Sequence, residues 1–144
     1  IMNNPNLEEL FDSDPLYEAL VKYEHSQYSR QLSAYIPVTQ KHENVALANF
    51  FDIPPHTYEG MGRFIPYVLF PDVEYALHIM PKNKGFSELS CGINPWNKPA
   101  QKDKHLGSFF AQHFGGGGHA FVAGGKMAEE DFWLIEKLLN FIQN

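Results

Sequence analysis

The chain has 144 residues, which is the size of one ordinary domain, and 44% of them are hydrophobic. That composition supplies a buried core and excludes intrinsic disorder as the main state, while no apolar run approaches the roughly 20 residues of a membrane-spanning helix. With 11 Lys and Arg against 17 Asp and Glu, the net charge of −6 argues against a protein that coats duplex DNA.

The first half of the chain predicts a helix, a strand and a second, short helix. Asp14 followed by Pro15 is a helix start, and apolar residues at helical spacing predict a helix over residues 15–32 that Pro37 ends. Residues 1–36 are therefore interpreted as a lead-in and linker helix, and residues 37–144 as the domain itself. Residues 44–51 predict a strand, and residues 63–70 a short helix with Pro66 in its first turn.

The second half alternates strands with helices. Residues 73–80 and 86–93 predict a β-hairpin, residues 95–104 a loop, and apolar spacing from Leu106 a helix that ends at Gly115. A strand over residues 120–123 is expected to close at Gly124 and Gly125. A final helix over residues 129–142 has an apolar stripe that includes Phe132. This order predicts a single α/β domain, with α+β character, in which helices pack on one mixed sheet.

Four consecutive glycines, Gly115, Gly116, Gly117 and Gly118, are followed directly by His119. Ordering four glycines costs much conformational entropy, so a folded domain keeps them where the backbone needs unusual dihedrals or a very close approach. One interpretation is a nest of N–H groups that binds an anion, with His119 donating a further hydrogen bond or assisting a leaving group. The other is a flexible hinge beside an exposed histidine.

This segment, with Ala123 and Gly124 after it, resembles the GGGGH signature of the C-terminal domain of the DHH phosphoesterase superfamily. The resemblance covers about residues 44–125, and Val122 replaces one alanine of the signature. It implies that Gly115, Gly116, Gly117, Gly118 and His119 bind substrate and that His119 takes a catalytic part.

The resemblance is incomplete in the strand before the glycine run. Many members carry a phosphate-binding arginine there, whereas this chain has Ser90, Cys91 and Gly92. We therefore expect the substrate phosphate to be contacted by Ser90, Asn94 or a nearby lysine such as Lys98. Residues 81–106 contain five lysines, namely Lys82, Lys84, Lys98, Lys102 and Lys104. This concentration of positive charge is either ordinary surface variation or a basic lip around an anionic ligand.

The family's hydrolytic centre is a pair of divalent metals, usually Mn²⁺, in a separate N-terminal domain with an Asp-His-His motif. No such motif occurs in this chain, so we expect it to bind no metal and to be inactive alone. Asp12 and Asp14 are better explained as helix-capping residues. Trp96 either stacks on a base or covers the sheet edge.

Two functions are consistent with these residues. The first is the substrate-binding domain of a DHH-type phosphoesterase that acts, with its N-terminal catalytic domain in cis, on a short oligonucleotide or a nucleotide. The alternative is a non-catalytic module that binds nucleic acid or a nucleotide, like the domain appended to alanyl-tRNA synthetases. The single cysteine, Cys91, is compatible with a cytoplasmic location, and the start at Ile1 suggests a piece of a longer protein. Homodimerisation is left open.

Overall fold

The computed structural model describes residues 15–58, 60–82, 85–99 and 104–144. Its helices are α1 (Pro15–Tyr35), α2 (Pro55–Tyr58), α3 (Ile65–Leu69), α4 (Leu106–His113) and α5 (Leu134–Gln143). Its strands are β1 (Thr39–His42), β2 (Val45–Asn49), β3 (Tyr75–Lys82), β4 (Phe86–Ile93), β5 (Gly117–Gly118) and β6 (Val122–Ala128). Short 3₁₀ turns occupy Ile36–Val38 and Glu129–Asp131.

The strands form one six-stranded sheet in the order β1-β2-β3-β4-β6-β5. Only the β2–β3 pair among these neighbours is parallel, and α2 and α3 lie in its crossover. The predicted hairpin is present as β3 and β4, which pair antiparallel from Tyr75 opposite Ile93 to Lys82 opposite Phe86. The predicted fold class, a mixed sheet with helices packed on it, is therefore confirmed.

The two faces of the sheet have different coverings. Leu77 and Ile79 of β3, with Leu89 and Cys91 of β4, pack in one core cluster with residues of α4 and α5. Alternate side chains point to opposite faces of a strand. Ala76 accordingly packs with Tyr67 of α3 in a separate cluster. The sheet is thus the middle layer, with α4 and α5 on one face and α3 on the other.

Cys91 lies at the centre of this arrangement. It is fully buried in β4, and burial raises the pKa of its thiol to about 12. A thiol in such surroundings remains protonated and behaves as a small apolar side chain.

Several predicted boundaries differ from the structure. The strand predicted over residues 44–51 is β2 alone, and the polar edge strand β1 was missed. Gly124 and Gly125 do not close a strand, because they lie inside β6. The predicted final helix is divided into the turn Glu129–Asp131 and α5. Phe132 was expected in the buried stripe of that helix, but it is 41% exposed and packs edge-on against Phe51.

Two predictions about the N-terminal part lie partly outside the described residues. The helix α1 begins at Pro15 and extends three residues beyond the predicted end, to Tyr35. The lead-in, and the interpretation of Asp12 and Asp14 as capping residues, fall outside the residues that the structure describes. Within those residues, none of the helices combines the length and apolar character that crossing a membrane requires.

Candidate functional site

A groove runs along the α3 side of the sheet. Its floor is formed by alternate residues of β3 and β4, and its walls by the segment around α3 and by Phe121 and Val122 at the start of β6. Its volume is about 510 Å³. The floor residues include Ala76, His78, Ser90 and Gly92. We call this the aromatic groove, because Phe64, Tyr67 and Phe121 are among its lining residues.

Arg63 reaches the floor of the aromatic groove from the chain just before α3. Its guanidinium donates a hydrogen bond of 2.9 Å to the hydroxyl of Ser90. The helix that follows is fixed on the sheet, because the hydroxyl of Tyr67 donates a 2.8 Å hydrogen bond to the carbonyl of Gly92. Arg63 therefore supplies a cation beside β4. This is the strand in which the DHH resemblance predicts an arginine and in which this chain has Ser90, Cys91 and Gly92.

His78 lies directly across the β3–β4 ladder from Ser90. It is 3% exposed, its ring packs edge-on against Tyr35 at 5.8 Å, and its Nε2 has no hydrogen-bond partner among the described residues. Burial, and secondarily the positive charge of Arg63, lower the pKa of His78 to about 4. His78 is thus neutral at physiological pH and leaves Arg63 as the charged group here.

A second groove lies on the other side of Arg63, with a volume of about 410 Å³. We call it the glycine groove, because it is lined by Gly115, Gly116, Gly124 and Gly125. Arg63, Glu88 and Lys126 are its charged lining residues. Arg63 is common to both grooves, so the two grooves meet at this residue.

The predicted glycine site is a tightly packed turn and strand. Gly115 has φ of 56° and ends α4 as predicted, since glycine adopts this left-handed conformation readily. A Cβ on Gly116 would lie 1.9 Å from the carbonyl oxygen of Gly124, and one on Gly118 would lie 2.3 Å from that of Val122. The flexible-hinge interpretation is therefore wrong for Gly116 and Gly118, which permit close approach of backbones.

The N–H groups of this run are only partly free to meet an anion. The N–H of Gly116 donates to the carbonyl of Phe110 at 3.3 Å, and that of His119 donates to Val122 at 2.8 Å. This differs from the expected nest, in which successive N–H groups all turn toward a ligand. Gly115 and Gly116 nevertheless form the wall of the glycine groove.

The structure places the predicted site residues in three different settings. Ser90 is 5% exposed and lies at the Arg63 contact. His119 is exposed, follows β5 directly, and is not among the described residues that line the two grooves meeting at Arg63. Asn94 is 1% exposed, so its burial argues against the predicted contact with substrate.

Asn94 organises the loop that carries Trp96. Its side-chain amide donates to the carbonyl of Val73 at 2.8 Å, and its side-chain oxygen accepts a 3.0 Å hydrogen bond from the N–H of Trp96. Asn97 adds a 2.8 Å bond to the carbonyl of Asp72. These bonds fix the backbone on both sides of Trp96.

The expected basic lip is not a single surface in the part of the chain that the structure describes. Lys82 lies at the hairpin end of β3, where it pairs with Glu88 at 3.3 Å. Lys98 and Lys104 line a different pocket with Tyr75 and Ile93, at the opposite end of these strands, and Lys104 donates to the carbonyl of Ile142. Lys84 and Lys102 lie outside the described residues.

The described residues offer no cluster of three or more His, Cys, Asp or Glu side chains able to hold a metal ion. The pair of Mn²⁺ ions that the resemblance implies in a separate N-terminal domain stays a prediction.

Arg63 is the residue that sequence reasoning missed. It lies 27 positions before Ser90, in a Gly-rich loop, and its nearest sequence neighbours gave no sign of a strand or of a charged cluster. One signal was available: the chain contains two arginines, Arg30 and Arg63, and only Arg63 lies in the region that resembles the DHH family.

Comparison with known proteins supports the fold. No protein-family model matches the chain, and no curated protein matches it by sequence. It is similar to the pGpG-specific phosphodiesterase PggH from Vibrio cholerae, with a TM-score of 0.72 and 20% identity, covering 97% of this chain and 46% of that one. It is also similar to an exopolyphosphatase-related protein from Bacteroides fragilis, with a TM-score of 0.55 and 20% identity, covering 79% of this chain and 34% of that one. The chain thus spans less than half of either protein, and at this identity the likeness shows the fold.

Two neighbouring glycines allow the packing role of the run to be tested. Gly116→Ala should destabilise the protein by about 1–3 kcal/mol, because the new Cβ overlaps the carbonyl of Gly124. Gly117→Ala is the matched control, since nothing lies within 4 Å of its Cβ position. Urea unfolding of both variants measures the difference. Equal losses of stability would contradict the packing explanation.

The lowered pKa of His78 predicts that the stability of the protein depends on pH. The unfolded chain binds a proton on this histidine near pH 6.5, whereas the folded protein does so near pH 4. The free energy of unfolding should therefore fall as the pH drops through that window, by up to about 3 kcal/mol.

Urea unfolding from pH 7 to pH 4 measures this effect. The variant His78→Gln should lose that part of the pH dependence, whereas His25→Gln, on the exposed surface of α1, should keep it. The same slope in all three proteins would remove His78 as its cause.

Proposed function

We propose that this chain is the substrate-holding domain of a DHH-type phosphoesterase, and that a phosphate group of the substrate binds at Arg63 between the aromatic and glycine grooves. The observation that carries this proposal is the guanidinium of Arg63, held 2.9 Å from Ser90 where the two grooves meet. A guanidinium has several donors in a fixed geometry that suits phosphate oxygens. One donor is used on Ser90, and we propose that others meet a phosphate in either groove.

The charges around the glycine groove support an anionic ligand. Glu88 is the acidic residue among its lining residues, and it is paired with Lys82 at 3.3 Å. Lys126 lies over the ring of Phe86 at 5.2 Å and adds a second cation to the groove. The local charge is thus positive in a chain whose net charge is −6, which favours a small anion at this place over a long polyanion.

The comparisons favour the same class of reaction. The two similar proteins are, by name, a phosphodiesterase and an exopolyphosphatase-related protein, and each is more than twice as long as the part that this chain covers. In our proposal a separate N-terminal domain supplies a pair of divalent metals, Mn²⁺ by resemblance, which activate water. The residues of this chain bind and orient the phosphate, which reduces the entropy cost of reaching the reactive geometry.

His119, which follows the glycine run, is a second residue of this chain for which we propose a role in the reaction. Its backbone is fixed on both sides, because its N–H donates to Val122 at 2.8 Å and its carbonyl accepts from Gly107 at 2.9 Å. Its side chain is exposed and is therefore accessible to a substrate held between the two domains. We propose that it donates a hydrogen bond to the substrate phosphate or protonates the leaving group.

The Arg63 site predicts a specific loss of binding. Arg63→Ala should weaken the binding of pGpG to this chain by about 10- to 100-fold, because a charge-assisted hydrogen bond is lost. Arg63→Lys should recover part of the affinity, since it restores the charge without the planar fork. Arg30→Ala, on the exposed surface of α1, is the matched control.

Isothermal titration calorimetry of the four proteins provides the measurement. Unchanged affinity in Arg63→Ala would exclude Arg63 from the site. The alternative of a non-catalytic module, as in alanyl-tRNA synthetases, would be favoured if pGpG binds through Arg63 but the full-length protein releases no product from it with Mn²⁺.

The role of His119 is tested in the full-length protein that contains this chain. With Mn²⁺ present, His119→Ala should lower kcat for pGpG hydrolysis by about 100-fold or more, the usual scale of a lost acid or base. Its circular dichroism spectrum should be unchanged, because the side chain is exposed. His25→Ala serves as the control, and a wild-type rate in His119→Ala would exclude His119 from the mechanism.

A further inference from the structure

The C-terminal end of α1 is attached to the segment that carries Arg63. The side-chain oxygen Oε1 of Gln31 accepts a 2.8 Å hydrogen bond from the N–H of Gly62, the residue directly before Arg63. A Cβ on Gly62 would lie 3.1 Å from the same oxygen, so glycine at this position lets Gln31 lie close against the backbone. The side chain of Gln31 therefore holds the main chain one residue away from the guanidinium of the proposed phosphate site.

Apolar packing on both sides of Arg63 reinforces this hydrogen bond. Met61, two residues before the arginine, and Ile65, two residues after it, belong to one core cluster. Leu32 and Tyr35 of α1 belong to the same cluster. The hydrogen bond and the packing thus fix the same short segment onto the last turns of α1.

The end of α1 also reaches the groove floor on which the guanidinium rests. The ring of Tyr35 lies edge-on against that of His78, with the ring centroids 5.8 Å apart. His78 is opposite Ser90, whose hydroxyl accepts the hydrogen bond from Arg63. Burial raises the pKa of Tyr35 to about 12, and the positive charge of Arg63 opposes this rise. The last turn of α1 is therefore close to the guanidinium as well as to its backbone.

The first half of α1 is much less constrained. Leu20 and Tyr23 are both more than half exposed, and Tyr35 is the residue of this helix that is buried. The contacts that fix α1 to the rest of the described domain are thus concentrated at its C-terminal end. A rigid helix attached in this way transmits a change in its direction to the segment at that end.

We propose that Gln31 is a positioning residue for the phosphate site: it holds the backbone before Arg63, so the affinity of the guanidinium for phosphate depends on where α1 lies. This inference rests on the proposed function, in which α1 follows the N-terminal catalytic domain, and it adds a means of regulation. A movement of that domain that displaces α1 would withdraw Arg63 from Ser90 and weaken its hold on the phosphate. Such coupling is reciprocal, so bound phosphate stabilises the end of α1.

Nuclear magnetic resonance of the ligand-free chain tests the positioning itself. Gln31→Met keeps a long, helix-favouring side chain but removes the oxygen that accepts from Gly62. The amide hydrogen of Gly62 should then exchange with solvent about 2- to 10-fold faster, the scale of one lost hydrogen bond. The Nη signal of Arg63 should shift, because its bond to Ser90 is disturbed. Gln27→Met, about one turn earlier on α1, is the matched control and should change neither signal.

Calorimetry with pGpG tests whether Gln31 acts through Arg63. Gln31→Met should weaken binding by about 2- to 10-fold, less than Arg63→Ala, because it disturbs the guanidinium without removing it. Gln27→Met should bind like the wild type. In the Arg63→Ala background, Gln31→Met should cause no further loss, since the group that it positions is already absent. An equal loss in both backgrounds would show that Gln31 acts on the protein in general, and would overturn the proposal.

The outcomes distinguish this inference from the proposed function. If Arg63→Ala weakens pGpG binding but Gln31→Met changes neither the affinity nor the Arg63 signal, the positioning role is wrong and the phosphate site stands. If Arg63→Ala leaves the affinity unchanged, the proposed phosphate site is wrong. A shifted Arg63 signal in Gln31→Met would then still support Gln31 as the residue that fixes Arg63.

Discussion

The register between β3 and β4 is the constraint on which core and site both depend. In this pairing, Leu77 lies opposite Cys91 and faces the α4–α5 core, while His78 lies opposite Ser90 and faces the groove. A slip of one residue in either strand would exchange these two sets, burying polar groups in the core and emptying the groove floor. The apolar core therefore determines where the polar groups of the site appear.

Arg63 brings positive charge to the place where the two grooves meet, in a chain that is acidic overall. Its position depends on α3, which is attached to the central strand through Tyr67 and Gly92. The floor beneath it is neutral, because burial favours the uncharged form of His78. Arg63 thus lines both grooves without a competing charge on the floor, and Glu88, the carboxylate among the described lining residues of the glycine groove, pairs with Lys82.

The parts of the fold that sequence predicted well are those with a local signal. The strand β4 has the predicted bounds, since turn-forming residues flank an apolar alternation, and α4 ends at His113, just before the left-handed Gly115 that was predicted to end it. The edge strand β1 has a polar sequence in which only Thr39 is buried, so no apolar pattern marks it. Its formation depends on the neighbouring strand β2.

The remaining differences come from contacts between distant segments. Gly124 and Gly125 are strand residues because β5 and α4 approach them closely; a Cβ on Gly125 would lie 2.7 Å from that of Phe114. The same closeness explains β5, a strand of two glycines without any propensity to form one. Of the predicted site residues, Ser90, Gly115 and Gly116 line grooves that Arg63 also lines, and their role in binding stays a prediction. The arginine itself was missed, because only folding brings it to Ser90.

The buried Cys91 is a natural probe of how often the core beside the central strand opens. The sole thiol of the chain lies between Ser90 and Gly92, both of which line the aromatic groove, yet it faces the opposite side of the sheet. A water-soluble alkylating reagent can reach it only when the packing of α4 and α5 on this face of the sheet opens, since the thiol is buried in that core and protonated. The labelling rate under native conditions therefore measures how often this core opens, in a protein that needs no added probe.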